Sequence, residues 1–312
     1  MWRRVTHVST IKRNRSKMPF LSAQPPQISR ASRELNGDGG GHWYKPDGCP
    51  LHTVKSAEGN DRNTTLADAR KLGLYPSVTT VTKTIGNNSL DRWKQAQMLN
   101  ACSANPKSES EDLADYEHRM RQLAQKKMVD ARAFGSLFHS AIDELNKTGF
   151  LTEEYEEIKP FVKHYIQWTR DLSIQFIDTE FVAVNHKLGY AGQVDALAVV
   201  DGKLTLLDYK TQDVKKKGKD GELKPNYYNS WLWQLAAYKN ADWPNKPKRI
   251  SQVMSVVLCS QEPCYPITKI WSQEEIADAW RLFQHANAIW QLLNKFDPVS
   301  TAKEKSDGKI AA

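Results

Sequence analysis

The hydrophobic pattern changes period about halfway along the chain. In the first half, apolar residues recur every three or four positions, as on one face of a helix. "SLDRWKQAQMLNAC" (89–102) predicts an amphipathic helix. The charged "KSESEDLADYEHRM" (107–120) leads into a long helical run through "VDARAFGSLFHSAIDELNK", ending near Gly149. Ser77 can cap a short helix after Pro76, and Thr152 can cap another that reaches about Leu172. Beyond it, "IQFIDTEFVAVN" (174–185) alternates or runs apolar, as a strand does. "GQVDALAVVDGKLTLLDYK" (192–210) predicts two strands joined at Asp201-Gly202, a dipeptide suited to a two-residue hairpin turn. "YYNSWLWQLAAYKNA" (227–241) reads as a helix, and "ISQVMSVVLCS" and "CYPITKIW" as two further strands. "SQEE" (272–275) has the spacing of a capping box and opens a helix running to about Phe296. The pattern predicts an α/β fold, a mixed central β-sheet flanked by helices, with a helical N-terminal portion.

Polar stretches mark the boundaries. Residues 1–40 read as a basic, disordered leader, and the Gly- and Pro-rich "LNGDGGGHWYKPDGCP" (35–50) as linker and turns. A single domain is expected over 41–297, mainly helical over 41–150 and carrying the sheet over 151–297. "DVKKKGKDGELKP" (213–225) reads as a mobile lysine-rich loop, and 298–312 as a disordered tail.

Composition changes this picture little. The formal charge is +8, yet residues 1–33 hold eight Arg and Lys and no acid, leaving 36 basic and 36 acidic residues in the rest. Bulk charge therefore does not mark the folded body as nucleic-acid-binding; local patches would have to do that. The leader suits an arm on nucleic acid, a mitochondrial presequence, or sequence upstream of a start at Met18. No apolar run approaches the ~18 residues of a membrane span, so no membrane partner is expected. The cysteines at 49, 102, 259 and 264 are sparse in a large chain. They are read as reduced thiols in a cytosol-like compartment.

The hairpin carries the candidate chemistry. If Val200 faces Lys203, then Asp195 faces Asp208, with side chains ~5 Å apart. Like charges so placed repel, and both strand faces are otherwise apolar. Two close buried carboxylates need a proton, a cation, or both. Lys210, two residues from Asp208, shares its face. A hard divalent ion would resolve the conflict; a buried Asp-Lys-Asp ion network would also do so. Gly135 and His139 lie one helical turn apart, and Asp143 one turn further could hold the imidazole's second nitrogen. Gln234 and Tyr238 repeat that spacing. Gly192 would admit a backbone or phosphate beside the acidic end.

The ordered set G-x-x-x-H, V-D, L-D-Y-K and Q-x-x-x-Y resembles the PD-(D/E)XK nuclease superfamily. Within it the chain is most similar to the RecB-type exonuclease branch, which includes phage-encoded exonucleases and the mitochondrial genome maintenance exonuclease. "HWYKPDG", "TTLADARKLGLYPSVTTV" and "RWKQAQML" add to the likeness, which spans roughly residues 42–296. The resemblance implies a restriction-endonuclease-like core. It implies His139, Asp195 and Asp208 as metal ligands, and Asp195, Asp208 and Lys210 as the catalytic set. Gln234 and Tyr238 would organise the site or touch substrate, with Gly135 and Gly192 close by; Glu180 sits where relatives often carry an acid. Mg2+ is the implied cofactor, with Mn2+ able to substitute. An iron-sulfur cluster is not expected, because only Cys259 and Cys264 follow Tyr238.

The expected function is metal-dependent DNA exonuclease activity in phage or organellar recombination, replication or repair. An endonuclease with the same site, or a DNA-binding accessory protein that does not cut, are the alternatives. A third reading is an unrelated α/β protein with a structural ion network. Expected partners are single-stranded DNA or duplex ends and a single-strand-annealing or replication protein. The expected compartment is the host cytoplasm for a phage protein, or the mitochondrion. Lysines 215–219 and "KPKR" (246–249) could track phosphates, and Trp231 and Trp233 could stack on bases or belong to the core.

Overall fold

A computed structural model describes residues 41–86, 88–217, 221–242 and 250–310; the basic leader and "KPKR" lie outside the described residues. The N-terminal portion carries four short strands, β1 (Trp43–Tyr44), β2 (Thr53–Lys55), β3 (Asp61–Asn63) and β4 (Tyr75–Pro76). Among them are the helices α1 (Leu66–Leu72) and α2 (Val78–Thr82). Ser77 caps α2 as its position predicts, accepting from the Thr80 N–H at 3.0 Å. Then come α3 (Asn88–Ala104) and α4 (Leu113–Thr148).

Helix α4 begins where the Asp112 side chain accepts from Ala114 N and ends where Gly149 adopts φ 78°, a left-handed cap. Its 36 residues span about 54 Å. It pairs with α3 and packs on the sheet, with Phe138, Ala141 and Ile142 near its C-terminal end entering the core. A 3₁₀ segment, Glu153–Ile158, follows Thr152 and precedes α5 (Lys159–Asp171). Thr152 therefore opens a 3₁₀ turn, without a side-chain cap bond.

The strands are β5 (Gln175–Asn185), β6 (Tyr190–Val200), β7 (Lys203–Gln212), β8 (Lys216–Lys217) and β9 (Glu222–Leu223), then β10 (Gln252–Cys259) and β11 (Ile267–Ile270) after the helix α6 (Asn229–Lys239). Helices α7 (Gln273–Asn294) and α8 (Pro298–Ile310) complete the described chain. The central sheet has the order β11-β10-β7-β6-β5. It is mixed: β5, β6 and β7 form an antiparallel meander, β10 pairs with β7 in parallel, and β11 pairs antiparallel. Helix α6 makes the crossover that a parallel pair requires.

Helices cover both faces. On one, Leu197, Leu206 and Val253 pack with Leu235 of α6 and Phe283 of α7. On the other, Ala198, Leu207 and Val256 pack with Phe138 of α4 and Trp168 of α5. Each large side chain buried in this way contributes about 2 kcal/mol of transfer free energy.

Three expectations change. Residues 298–310 form a helix, not a disordered tail. Asp297 caps it through Val299 N at 2.9 Å, and Ala302 packs on the cluster containing Tyr75 and Val184. Cys259 and Cys264 form a disulfide across 5.8 Å between Cα atoms, because the chain turns back at the end of β10; Cys49 and Cys102 are free. The lysine-rich segment, read as a mobile loop, pairs β8 with β9, with 218–220 outside the described residues. No described helix is long and apolar enough to cross a membrane.

Candidate active site

The β6–β7 hairpin closes as its turn residues predict. Asp201 and Gly202 take φ 48° and 71°, the positive values of a type I′ turn. The register runs from Val200–Lys203 to Ala196–Leu207. Asp195 and Asp208 would be the next pair, but the ladder stops one step short of them. Backbone alternation would send the Tyr209 N–H to the main chain of residue 194. It donates instead to Asp195 Oδ2 at 2.7 Å. The two aspartates are therefore not a ladder pair.

The other edge of β6 is interrupted at the same place. Thr179 pairs with Ala196 and Phe181 with Val194, while Glu180 and Asp195 between them form no pair. Glu180 has φ 50°, a left-handed conformation that costs a non-glycine residue about 1–3 kcal/mol. Strand β6 changes faces here: Val194 packs on the α6 side and Ala196 on the α4 side. Strict alternation from the turn puts both on one face, so the expected face assignment fails beyond Ala196.

This distortion brings three side chains together. One ligand-type atom from each of His139, Glu180 and Asp195 lies within 4.8 Å of the other two. His139 Nδ1 is 3.9 Å from both Glu180 Oε1 and Asp195 Oδ1. Donors around a shared ion with 2.0–2.1 Å bonds sit roughly 3–4 Å apart, so the spacing and the donor types fit a divalent cation. The group lines an open pocket of 670 Å³ between α4 and the β5–β6 strands.

Asp208 falls outside the three-residue group. Its side chain is 2% exposed; Oδ1 accepts from Lys210 Nζ at 2.6 Å, and Oδ2 is buried with no hydrogen-bond partner. Burial pushes its carboxyl up to about 6; Lys210 pulls against that shift, and Asp195 adds to it. Asp195 is raised too, chiefly by burial, with His139 and Lys210 opposing. For His139 and Lys210 burial disfavours the charge, but the neighbouring carboxylates outweigh it and both are raised.

The remaining expected residues are close by. Gln234 Oε1 accepts from Lys210 Nζ at 3.3 Å, and its amide donates to the Tyr238 hydroxyl at 3.0 Å. Gly135 lets α4 approach β7: a Cβ there would lie 2.9 Å from Thr211 Oγ1. At Gly192 the close neighbour is the Tyr238 ring, 2.7 Å from where a Cβ would stand, rather than a phosphate or a passing backbone. Asp143 does not hold His139. It accepts from Lys147 at 2.9 Å and Thr179 at 2.8 Å. His139 Nε2 faces the Tyr209 carbonyl at 3.1 Å instead.

The Gln193 amide donates to Glu180. Sequence reasoning missed the chain Asn146–Tyr165–Tyr209 behind the imidazole, since nothing local pointed to the tyrosines. Trp233 packs against the core, and Trp231 contacts Tyr227 and Tyr228. Searched against protein-family models the chain matches none, and a search of curated proteins returns no match.

Proposed function

We propose that this chain is a divalent-cation-dependent nuclease of the PD-(D/E)XK kind that hydrolyses phosphodiester bonds in DNA, as an exonuclease. The observation that carries the reading is the convergence of His139, Glu180 and Asp195 in a pocket beside the buried Asp208–Lys210 pair. The orphaned Asp208 Oδ2 supports it, since a buried oxygen without a partner is costly unless a ligand satisfies it. The antiparallel meander followed by a helical crossover to a parallel strand also suits a restriction-endonuclease-like core.

His139, Glu180 and Asp195 would hold the cation, with Asp208 Oδ2 as a further donor. Carboxylate-rich ligation favours Mg2+ or Mn2+ over softer metals. A cation there would polarise a phosphoryl oxygen and lower the pKa of water. The chain does the remaining work. Lys210 keeps its proton because Asp208 and Asp195 surround it. Its ammonium group can therefore orient a water or offset charge building on a phosphate. Gln234, fixed by Tyr238, holds the lysine from the other side. The Tyr209 carbonyl orients the imidazole.

The test is digestion of end-labelled linear and circular single-stranded DNA with Mg2+ or with EDTA. Linear DNA should be degraded only with Mg2+, circular DNA should survive, and Lys210→Ala should lose at least 100-fold in rate. Binding without cleavage in Mg2+ and in Mn2+ would replace this reading with that of an accessory protein.

A further inference from the structure

We infer that one face of α4 is a rail for the backbone of a single nucleic-acid strand, with Arg132 and Ser136 as the phosphate contacts nearest the ligand group. The inference rests on the proposed nuclease reading and extends it to the path the substrate takes.

Two adjacent ridges of α4 line the pocket. One carries Gly135 and His139; the other carries Arg132 and Ser136, likewise one turn apart. The missing Cβ at Gly135 seats the helix against Thr211, so that hydroxyl enters the same wall. An arginine and two hydroxyls beside three ligand-type groups form a mixed surface. The acidic members suit a cation, and the donors suit phosphate oxygens. Arg132 and Ser136 are exposed, as substrate contacts must be.

The same face continues away from the pocket. Arg121 precedes His139 by five full helical turns and Arg132 by about three, roughly 16 Å. Arg121 is exposed, and its ion pair to Glu117 at 3.4 Å is open to solvent, so it costs little to exchange for a phosphate. Two arginines in line with the ligand group give a charge-complementary track along one helix. The pocket is of the size that encloses a small ligand, so it suits one strand's nucleotide rather than a duplex.

The test measures binding and cleavage of a fluorescent single-stranded oligonucleotide by the full chain over a range of salt. Binding is read by anisotropy in Ca2+, and cleavage in Mg2+. Arg132→Ala should weaken binding about tenfold at low salt and lower the slope of log K against log salt by about 0.7, the share of one phosphate contact on a single strand. Arg121→Ala should lower the slope similarly, and the double variant by about twice as much. Arg132→Lys should restore most of the slope, which a merely structural arginine would not do. KM should rise more than kcat falls, with the melting temperature unchanged. If wild type cuts DNA but both alanine variants keep its slope and KM, the rail is wrong and the nuclease reading stands. If wild type neither binds nor cuts, both fall. An equal or steeper wild-type slope on blunt duplex, with tighter binding, would overturn the single-strand assignment.

Discussion

Asp208 shows how much a single buried carboxyl can bias the molecule. Its folded value, about 6, lies above the ~3.9 of an unfolded chain. Between those values the native state holds a proton that the unfolded state has lost, so this group's contribution falls as pH rises through the window and is gone above it. The full difference is on the order of 3 kcal/mol. His139, raised above 6.5, acts in the same direction, stabilising below its unfolded value and losing that contribution as pH climbs. In EDTA, Asp208→Asn should therefore gain stability relative to wild type from pH 4 to pH 6, measured by urea melts. A constant difference across that range would show that Asp208 is not the strained group. Addition of Mn2+ should raise the wild-type midpoint more at pH 8 than at pH 5, because the cation and protons compete for the same oxygens.

At the scale of elements, the site depends on how closely β6 and α6 approach. Gly192 leaves room for the Tyr238 ring, and Tyr238 holds Gln234 against Lys210. Gly192→Ala should cost about 1–3 kcal/mol, since the Cβ would overlap a ring wholly enclosed by its neighbours. It should also lower cleavage, because displacing Tyr238 releases Gln234. The pairing Gly192→Ala with Tyr238→Leu should recover stability but not rate. If the double variant regained both, Tyr238 would be filler rather than a positioning residue. The local signals for these elements were strong: the Ser272–Glu275 capping box opens α7 where its spacing placed it, and the turn at Asp201-Gly202 sets the hairpin register. The interruption at Glu180 and Asp195 had no such signal. Nothing in the side-chain chemistry of a glutamate marks a left-handed backbone.

For the whole molecule, the C-terminal helix links the N-terminal strands to the body. α8 touches α1 and β4, and Gly189 at the β5–β6 turn lies against Pro298 and Val299. Ending the chain at Asp297 uncovers the Tyr75–Val184 cluster and should cost about 2 kcal/mol, on the scale of one or two large apolar side chains. Thermal melting of the truncated chain checks this; an unchanged midpoint would mean that α8 contributes no net burial. The proposed site lies on the far reach of α4, so cleavage by the truncated chain at low temperature should survive.

The sequence by itself determined the elements whose cause is local: helices from capping residues and period, the hairpin from its turn dipeptide, and the mixed sheet from the order of strands and helices. It also placed Asp195, Asp208 and Lys210 near one another, since strand register reaches that far, whereas His139 joined them only through the family resemblance. Only the tertiary structure decided which acids meet. Two ladders break at one point on β6, turning Asp195 toward Glu180 and His139 and leaving Asp208 to Lys210. That outcome depends on backbone strain held in place by packing from both faces. It is a property of neighbours distant in sequence, and no local pattern encodes it.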